Sequence, residues 1–571
     1  MSVSRKFLLI GLFCLFSVSL FSENMYLEIN LNEKDRGPFA KPKPPLEVFR
    51  VIEKAAADPK VQGIILNIGS FSGGRDELWE LRSALANFRA QGKVICAFIS
   101  NADIDVYCLA SIADKIVMDE LGTLNITGYS VSRGYARRTL DKLGIGVREL
   151  RYLEYKSAAE TYTRDSMSQA DRRQYNEYLD DIFNLTSNTL KVARNWTEWE
   201  FNSILNDEFL YSAKSAKSRG LVDHVGRRSA MQEALKDIEG LYVSNFTLYG
   251  DPESSLMGEK TKYNPPKSGR AFSRMAVVAV VYANGQTDME RGMAAQSLAK
   301  TICELADKSR VKAIIIRINS PGGSAEAADV FAEAVRYAKQ KKPVVVTMGQ
   351  VAASGGYWAA MYANHITATP YTITGSIGVI GSWFYDKGLN EKLGLRTETL
   401  QRGAHADLLS GVIIPNRDLR PEEEERYKKY ILDIYGVFLE KVSAGRGMEL
   451  AKVEAAAQGR VLSGKRALEA GLIDSIGGFP EALRTVQTLA EISDSQNIKY
   501  EEYPKPSFWE KVMENFPQTS VFSRNAKSRK NAIAHNAALI EELLLPGVDL
   551  RYRLENNGRI LPILPLEFTF K

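Results

Sequence analysis

An internal repeat spans most of this chain of 571 residues. The apolar run at 61–68 returns at 311–318, and the paired glycines at 73–74 return at 322–323, so the offset is close to 250 residues. Three more pairs of segments keep the same order and nearly the same offset: 107–113 with 357–363, 142–144 with 392–394, and 220–226 with 471–477. Such self-similarity is the signature of a duplicated structural unit. We therefore predict two copies of one fold.

Each copy has the pattern of an α/β unit. Short continuous apolar runs, such as 313–316 and 343–347, are typical of buried parallel strands. A helical stretch from Ala325 to Gln340 separates these two runs, which favours strand–helix–strand crossovers.

A longer amphipathic helix follows later in each copy. Ser168 can cap the first of these helices, and Pro421 can open the second at its first turn. The residues predicted on the packed faces are Tyr175, Tyr178, Leu179 and Ile182 in the first helix, and Tyr427, Tyr430, Ile431 and Ile434 in the second.

The repeat predicts how the chain is divided. We expect an export segment at 1–22, a first repeat at 23–249, a linker at 250–270, a second repeat at 271–495, and a tail at 496–571 that has no counterpart in the repeat.

The N-terminus has the pattern of an export signal. Arg5 and Lys6 precede an apolar run at 7–21, and the positive side of such a segment stays in the cytoplasm. The run is short for a membrane span, and no clear cleavage site follows it. A cleaved signal peptide and a retained membrane anchor are both compatible with it. Lipidation of Cys14 is less favoured, because apolar residues continue on both sides of that cysteine. A buried N-terminal helix is also less favoured.

The composition is that of a folded protein and excludes several functions. Hydrophobic residues make up 45% and charged residues 25% of the chain, which excludes a disordered or fibrous protein. The net charge is only +5 and no basic stripe is present, so we do not expect nucleic-acid binding. The four cysteines and four histidines have no ligand spacing, and Cys96 lies in an apolar run typical of a core. We therefore predict no metal, no other cofactor and no disulfide framework.

Two segments of the second copy could carry chemistry. Asn319–Ser324 places paired glycines between a strand and a helix, where N–H groups can face developing negative charge, although an ordinary turn would use the same residues. In Gln350–Trp358, small residues surround Ser354, whose hydroxyl could be a nucleophile or simply a helix cap. A Ser–His–Asp triad is poorly supported, because no histidine lies in a comparable motif.

Three ordered motifs now resemble a known family. Ile318–Gly323, Ala352–Tyr357 and Thr374–Gly378 look like those of signal peptide peptidase A, also called protease IV. Its members are serine–lysine peptidases, and the long, duplicated bacterial form covers this chain from about residue 40 to 495. The resemblance implies an α/β fold in which a unit of the Clp-protease/crotonase type, with parallel strands and crossover helices, is duplicated in tandem.

The same resemblance implies that a lysine in the first copy is the general base. The family pattern is present as Tyr155–Ala158, so the base would be Lys156. Without the resemblance, Lys156 would be interpreted as a surface lysine. The position 250 residues after Lys156 is Ala406, and the position 250 residues before Ser354 is Ile104. Each copy thus has one residue of the pair, and we predict one site per chain built from both copies.

The resemblance also implies a role for each site residue. Ser354 would be the nucleophile, the N–H groups of Gly323 and Gly355 would hold the oxyanion, and Ser376 would orient the lysine, unless it is only a turn residue. An ordinary lysine is protonated at neutral pH, so Lys156 would need desolvation to accept a proton.

The expected substrates are cleaved signal peptides and other unfolded apolar peptides. By analogy we expect a homo-oligomer, a tetramer, held at the bacterial inner membrane by the N-terminal segment with its bulk facing the periplasm. Two alternatives remain: a non-catalytic scaffold of the same fold, and an acyl-CoA hydratase or isomerase, in which the same amides hold a thioester oxyanion.

Overall fold

The computed structural model describes residues 25–32, 46–69, 71, 73–265, 276–493, 498–505, 560–561 and 568–570. The predicted export segment, part of the predicted linker and most of the predicted tail lie outside the described residues. Within them, no helix combines the length and the apolar character that a membrane span requires.

The described strands are β1 (Met25–Asn30), β2 (Val61–Asn67), β3 (Val94–Ala102), β4 (Lys115–Asn125), β5 (Val131–Arg133), β6 (Ile145–Leu150), β7 (Leu210–Ser212), β8 (His224–Val225), β9 (Phe246–Tyr249), β10 (Ala276–Asn284), β11 (Val311–Ser320), β12 (Val344–Ala353), β13 (His365–Ala368), β14 (Ile373–Gly375), β15 (Ile380–Asp386), β16 (Val461–Ser463), β17 (Ser475–Ile476), β18 (Ile498–Tyr503), β19 (Ile560–Leu561) and β20 (Phe568–Phe570).

The described α-helices are α1 (Leu46–Ala57), α2 (Arg75–Arg89), α3 (Ile104–Ala110), α4 (Arg137–Leu143), α5 (Glu160–Thr163), α6 (Gln169–Arg194), α7 (Glu198–Asn206), α8 (Ala213–Ser218), α9 (Arg228–Glu239), α10 (Ala295–Asp307), α11 (Ala325–Lys339), α12 (Gly355–Ala360), α13 (Leu389–Lys392), α14 (Pro421–Arg446), α15 (Leu450–Ala456), α16 (Gly464–Glu469) and α17 (Phe479–Leu489), and a 3₁₀ turn spans Pro252–Ser254.

The chain packs into two units that do not coincide with its two sequence halves. Unit 1 contains Met1–Gly128 and Phe183–Gly269, and unit 2 contains Tyr129–Ile182 and Arg270–Lys571. A stretch of the first half therefore packs with the second half, and the break falls inside α6. The domain boundaries drawn from the repeat remain a prediction about the duplication.

Unit 1 contains a sheet with the strand order β7-β4-β3-β2-β1-β9, and β8 pairs with β4. Its pairs are parallel except β4 with β7. One core cluster of this unit includes Tyr26, Ile65, Phe98, Met231 and Leu235. Cys96 is buried in the same cluster, as its apolar run predicts.

Unit 2 repeats this arrangement with the order β16-β14-β12-β11-β10-β18, and β13 pairs with β12 and β17. Its pairs are parallel except β14 with β16. The helix predicted at 325–340 is α11, and Ser324 Oγ accepts the Ala327 N–H at its start. Two sheets with matching strand orders confirm the prediction of a duplicated α/β fold with crossover helices.

Two small sheets attach part of the first half to the second half within unit 2. β6 pairs antiparallel with β15, and β19 pairs with the opposite edge of β15. β5 pairs antiparallel with β20. The segment that follows β6, which contains Lys156, is thereby held beside the sheet that contains Ser354.

The two long helices begin as the sequence predicts. Ser168 Oγ accepts the Asp171 N–H at the start of α6, and Pro421 occupies the first turn of α14. One prediction about α14 is wrong, because Tyr430 is 57% exposed whereas Ile431 is buried. Neighbouring residues of a helix lie about 100° apart, so a face that buries Ile431 turns Tyr430 towards solvent.

Candidate active site

Ser354 lies at a strained turn between β12 and α12. Its backbone has φ 56° and ψ −116°, a conformation that costs a residue with a side chain about 1–3 kcal/mol. The Ser354 hydroxyl makes no capping hydrogen bond to α12, so the alternative that it is a helix cap is wrong. The turn is held by its backbone, because the Ser354 N–H donates to Gly375 O at 2.8 Å. The hydroxyl is thus left for another partner.

That partner is the amine of Lys156, whose Nζ lies 2.7 Å from Ser354 Oγ. Both side chains are completely buried. Burial lowers the pKa of Lys156 well below its ordinary value, because the charged amine would lose its hydration there. An amine with a depressed pKa is a base at neutral pH, and a serine hydroxyl within hydrogen-bonding distance is a proton donor to it.

Ser376 supplies two more contacts to the same amine. Lys156 Nζ lies 2.8 Å from Ser376 O and 2.9 Å from Ser376 Oγ. A neutral amine has two hydrogens and one lone pair, so donation to these two oxygens leaves the lone pair for the Ser354 hydroxyl. Ser376 has a φ of 50°, and its N–H donates to Arg460 O at 2.6 Å, which fixes this turn.

The N–H of Gly323 is turned away from Thr287 by strand geometry. The Thr287 N–H donates to Gly322 O at 2.8 Å, and the Ser324 N–H donates to Thr287 O at 2.7 Å. Backbone groups of successive residues in an extended segment point to opposite sides. The groups of Gly323, which lies between those two bonded residues, therefore face away from Thr287.

Gly355 lies against Gly323. Gly355 is the first residue of α12, where an N–H has no acceptor within the helix. A Cβ at this position would lie 3.2 Å from the Gly323 nitrogen, so the two residues are in contact. Among the described residues, no hydrogen bond occupies either N–H group. Two unoccupied N–H groups beside a buried hydroxyl can stabilise an oxyanion.

Gly459 is a part of the site that the sequence reasoning missed. It has a φ of 78°, and a Cβ there would lie 2.6 Å from the Cβ of Lys156. The Tyr155 N–H donates to Gln458 O at 3.0 Å, so the chain before β16 lies directly against the lysine. The isolated pair Gln458–Gly459 indicates a turn in the sequence, but it does not indicate which residue packs on that turn.

Ile104, which matches Ser354, and Ala406, which matches Lys156, do not form a second site. Ile104 is buried at the start of α3 in unit 1, and Asp103 caps that helix by accepting the N–H groups of Asp105 and Val106 at 3.0 and 2.9 Å. Ala406 lies in an exposed loop of unit 2. The described residues thus bring Ser354, Lys156, Ser376, Gly323 and Gly355 together in unit 2 alone.

Comparison with known proteins identifies relatives over most of the chain. The model of peptidase family S49 matches residues 87–241 and 336–493, and the Clp protease model matches residues 268–369. The chloroplastic serine protease SPPA of Arabidopsis thaliana is 30% identical over 80% of this chain and 67% of its own length. Protease 4 of Haemophilus influenzae is 32% identical over 78% of this chain and 72% of its own length. A putative signal peptide peptidase SppA of Enterococcus faecium is 30% identical over 41% of this chain and 67% of its own length.

The buried lysine makes a prediction about stability and pH. In the unfolded chain Lys156 is protonated up to its ordinary pKa of 10.5, whereas in the folded protein burial keeps it neutral to a much lower pH. Unfolding then takes up a proton, so the free energy of unfolding gains a contribution that rises with pH in this window. In Lys156→Met this contribution is absent. We expect the unfolding free energy of the variant minus that of the wild type to fall as pH rises from 7 towards 10.5.

Urea unfolding at several pH values measures this difference. Lys465→Met, at an exposed position, is the control for replacing a lysine by methionine as such. A difference for Lys156→Met that is independent of pH would contradict a neutral buried lysine.

Proposed function

Because this chain belongs to peptidase family S49 and is a serine-type peptidase, we propose that Ser354 is its nucleophile and Lys156 its general base. The observation that carries the proposal is the 2.7 Å separation of Lys156 Nζ and Ser354 Oγ, with both side chains completely buried. The lowered pKa of Lys156 supports it, because a protonated amine could not accept the serine proton.

Acylation follows from these positions. Neutral Lys156 takes the hydroxyl proton while Ser354 Oγ bonds to the carbonyl carbon of the scissile peptide bond. The carbonyl oxygen becomes negative, and the N–H groups of Gly323 and Gly355 stabilise it. The ammonium of Lys156 then gives its proton to the leaving nitrogen as the carbon–nitrogen bond breaks. An ester between Ser354 and the carbonyl part of the peptide remains.

Deacylation uses the same groups in reverse. Neutral Lys156 takes a proton from a water molecule while the water oxygen attacks the ester carbon. The same two N–H groups hold the oxyanion. Lys156 returns the proton to Ser354 Oγ when the peptide acid leaves. Ser376 acts in both steps as the positioning residue, because its two oxygens hold the hydrogens of the amine and so direct the lone pair.

The proposed substrates are cleaved signal peptides and other unfolded apolar segments. The name of the Enterococcus faecium relative supports the first class. The backbone supports an extended substrate, because the N–H and C=O of Gly323 face away from Thr287 and can pair with an added strand. The dyad favours this function over an acyl-CoA hydratase or a non-catalytic scaffold, neither of which needs a lysine 2.7 Å from a serine.

We further propose that the protein is a homo-oligomer, a tetramer, held at the bacterial inner membrane with its catalytic part in the periplasm. The apolar run at 7–21 after Arg5 and Lys6 supports the membrane contact. We expect the full chain to sediment with lipid vesicles and a chain lacking residues 1–22 to stay in solution. Light scattering on the shorter chain should give the mass of four copies, whereas the mass of one copy would refute the tetramer.

The first prediction for catalysis concerns the dyad. Ser354→Ala removes the nucleophile and Lys156→Met removes the base, so each should lower kcat for an apolar fluorogenic peptide by about 10³-fold or more. Ile104→Val changes the matching position of the other copy and should leave kcat unchanged. Activity near that of the wild type in either folded dyad variant would rule out this mechanism.

The second prediction for catalysis concerns the oxyanion. In Gly355→Ala, the added Cβ would lie 3.2 Å from the Gly323 nitrogen, where it would crowd the Gly323 N–H. Because the oxyanion forms only in the transition state, we expect kcat to fall by about 10²–10³-fold while KM changes little. Steady-state kinetics separates the two constants, and a change confined to KM would count against Gly355 as an oxyanion residue.

A further inference from the structure

A buried ion pair lies behind the turn that contains Lys156. Arg133, at the end of β5, donates from Nη1 to Asp171 Oδ2 in the first turn of α6 at 2.7 Å. The two side chains are 1% and 0% exposed. An arginine cannot lose its proton, so Asp171 has a permanent cation beside it in the interior.

Both members of the pair bind Ser157, the residue after the lysine. Arg133 Nη2 donates to Ser157 O at 2.6 Å, and the Ser157 hydroxyl donates to Asp171 Oδ1 at 2.5 Å. Gln174 Nε2 adds bonds to Tyr155 O at 3.3 Å and to Asp171 Oδ1 at 3.0 Å. The backbone on both sides of Lys156 is thus fixed by groups other than those that bind its amine.

Fold stability alone does not account for this pair. Removing two charges from water costs several kcal/mol per ion, and apolar side chains of similar volume often stabilise a core as well or better. An ion pair does provide directed hydrogen bonds to a single backbone position, which apolar packing cannot.

We propose that Arg133 and Asp171 are positioning residues for the reaction: they fix Ser157 and so direct the amine of Lys156 at Ser354. This inference rests on the proposed Ser–Lys mechanism and names residues that hold its base. The other titratable groups around the pair are Tyr135, Tyr175, Glu149, Glu160, Arg151 and Arg164.

The test replaces the pair without leaving a single buried charge. Arg133→Met combined with Asp171→Leu removes the bonds to Ser157, and such replacements commonly preserve stability. We expect kcat to fall about tenfold or more, because small displacements of a catalytic group have large effects on rate. KM should stay within about twofold, because Gly323 and the strand ends that would bind the peptide are unchanged. The acidic limb of the pH–kcat profile should move to higher pH, because a loosened amine regains water and its pKa rises.

The control is the pair Arg446 and Asp474, which is joined at 2.6 Å elsewhere in unit 2 and is partly exposed. Arg446→Met with Asp474→Leu should leave kcat and the acidic limb unchanged. A folded Arg133→Met/Asp171→Leu protein with the kcat and pH profile of the wild type would overturn the inference. If that variant does not fold, Ser157→Ala decides: a fall in kcat of about threefold or more supports positioning, and an unchanged kcat overturns it.

These outcomes are distinct from failure of the proposed function. If Ser354→Ala keeps its activity, the dyad itself is refuted. If Ser354→Ala is inactive while the double variant is fully active, the dyad stands and only the positioning role is refuted.

Discussion

The removal of water from one amine, that of Lys156, is the constraint on which the centre of unit 2 depends. Lys156 has no exposed surface, and burial holds its pKa well below the ordinary value. Ser376 binds the Nζ of Lys156, and Gly459 lies against the lysine Cβ. The ion pair of Arg133 and Asp171 binds Ser157 and so holds the adjoining backbone. A side chain at Gly459 would displace the lysine, so the close contact that excludes water there depends on glycine.

The two copies show how one turn can be either capped or strained. At the start of α3, Asp103 satisfies two N–H groups with its own carboxylate. At the start of α12, Ser354 leaves the first N–H unoccupied and adopts a conformation that is costly for a residue with a side chain. The same strand-to-helix connection thus gives an ordinary capped helix in unit 1 and a strained, uncapped turn in unit 2. Strain and missing caps of this kind concentrate at functional sites.

The sequence predicted the duplicated α/β architecture because buried strands and their offset are visible as apolar runs. It placed Ser354, Lys156 and Ser376 as candidates through family motifs and through the complementary Ile104 and Ala406. It could not predict the grouping of residues 129–182 with unit 2, because that grouping depends on pairs such as β6 with β15, which share no pattern in the chain.

Gly459, Arg133 and Asp171 were missed for a related reason. In a sequence, a glycine indicates a turn and a lone charged residue indicates an exposed position. Only the three-dimensional packing shows that all three residues contact the turn around Lys156. The exposure of Tyr430 is a smaller case. Tyr430 and Ile431 were both predicted on the packed face, but neighbouring helical residues lie about 100° apart and only Ile431 is buried there.

The order of these pieces along the chain has a consequence for synthesis. Lys156 leaves the ribosome long before Ser354, and Gly459, which closes the pocket around the lysine, follows about a hundred residues after the serine. Until that last segment is made, the amine stays hydrated and protonated and has no power to activate a hydroxyl. Under the proposed mechanism, a chain that stops before Gly459 is therefore inactive.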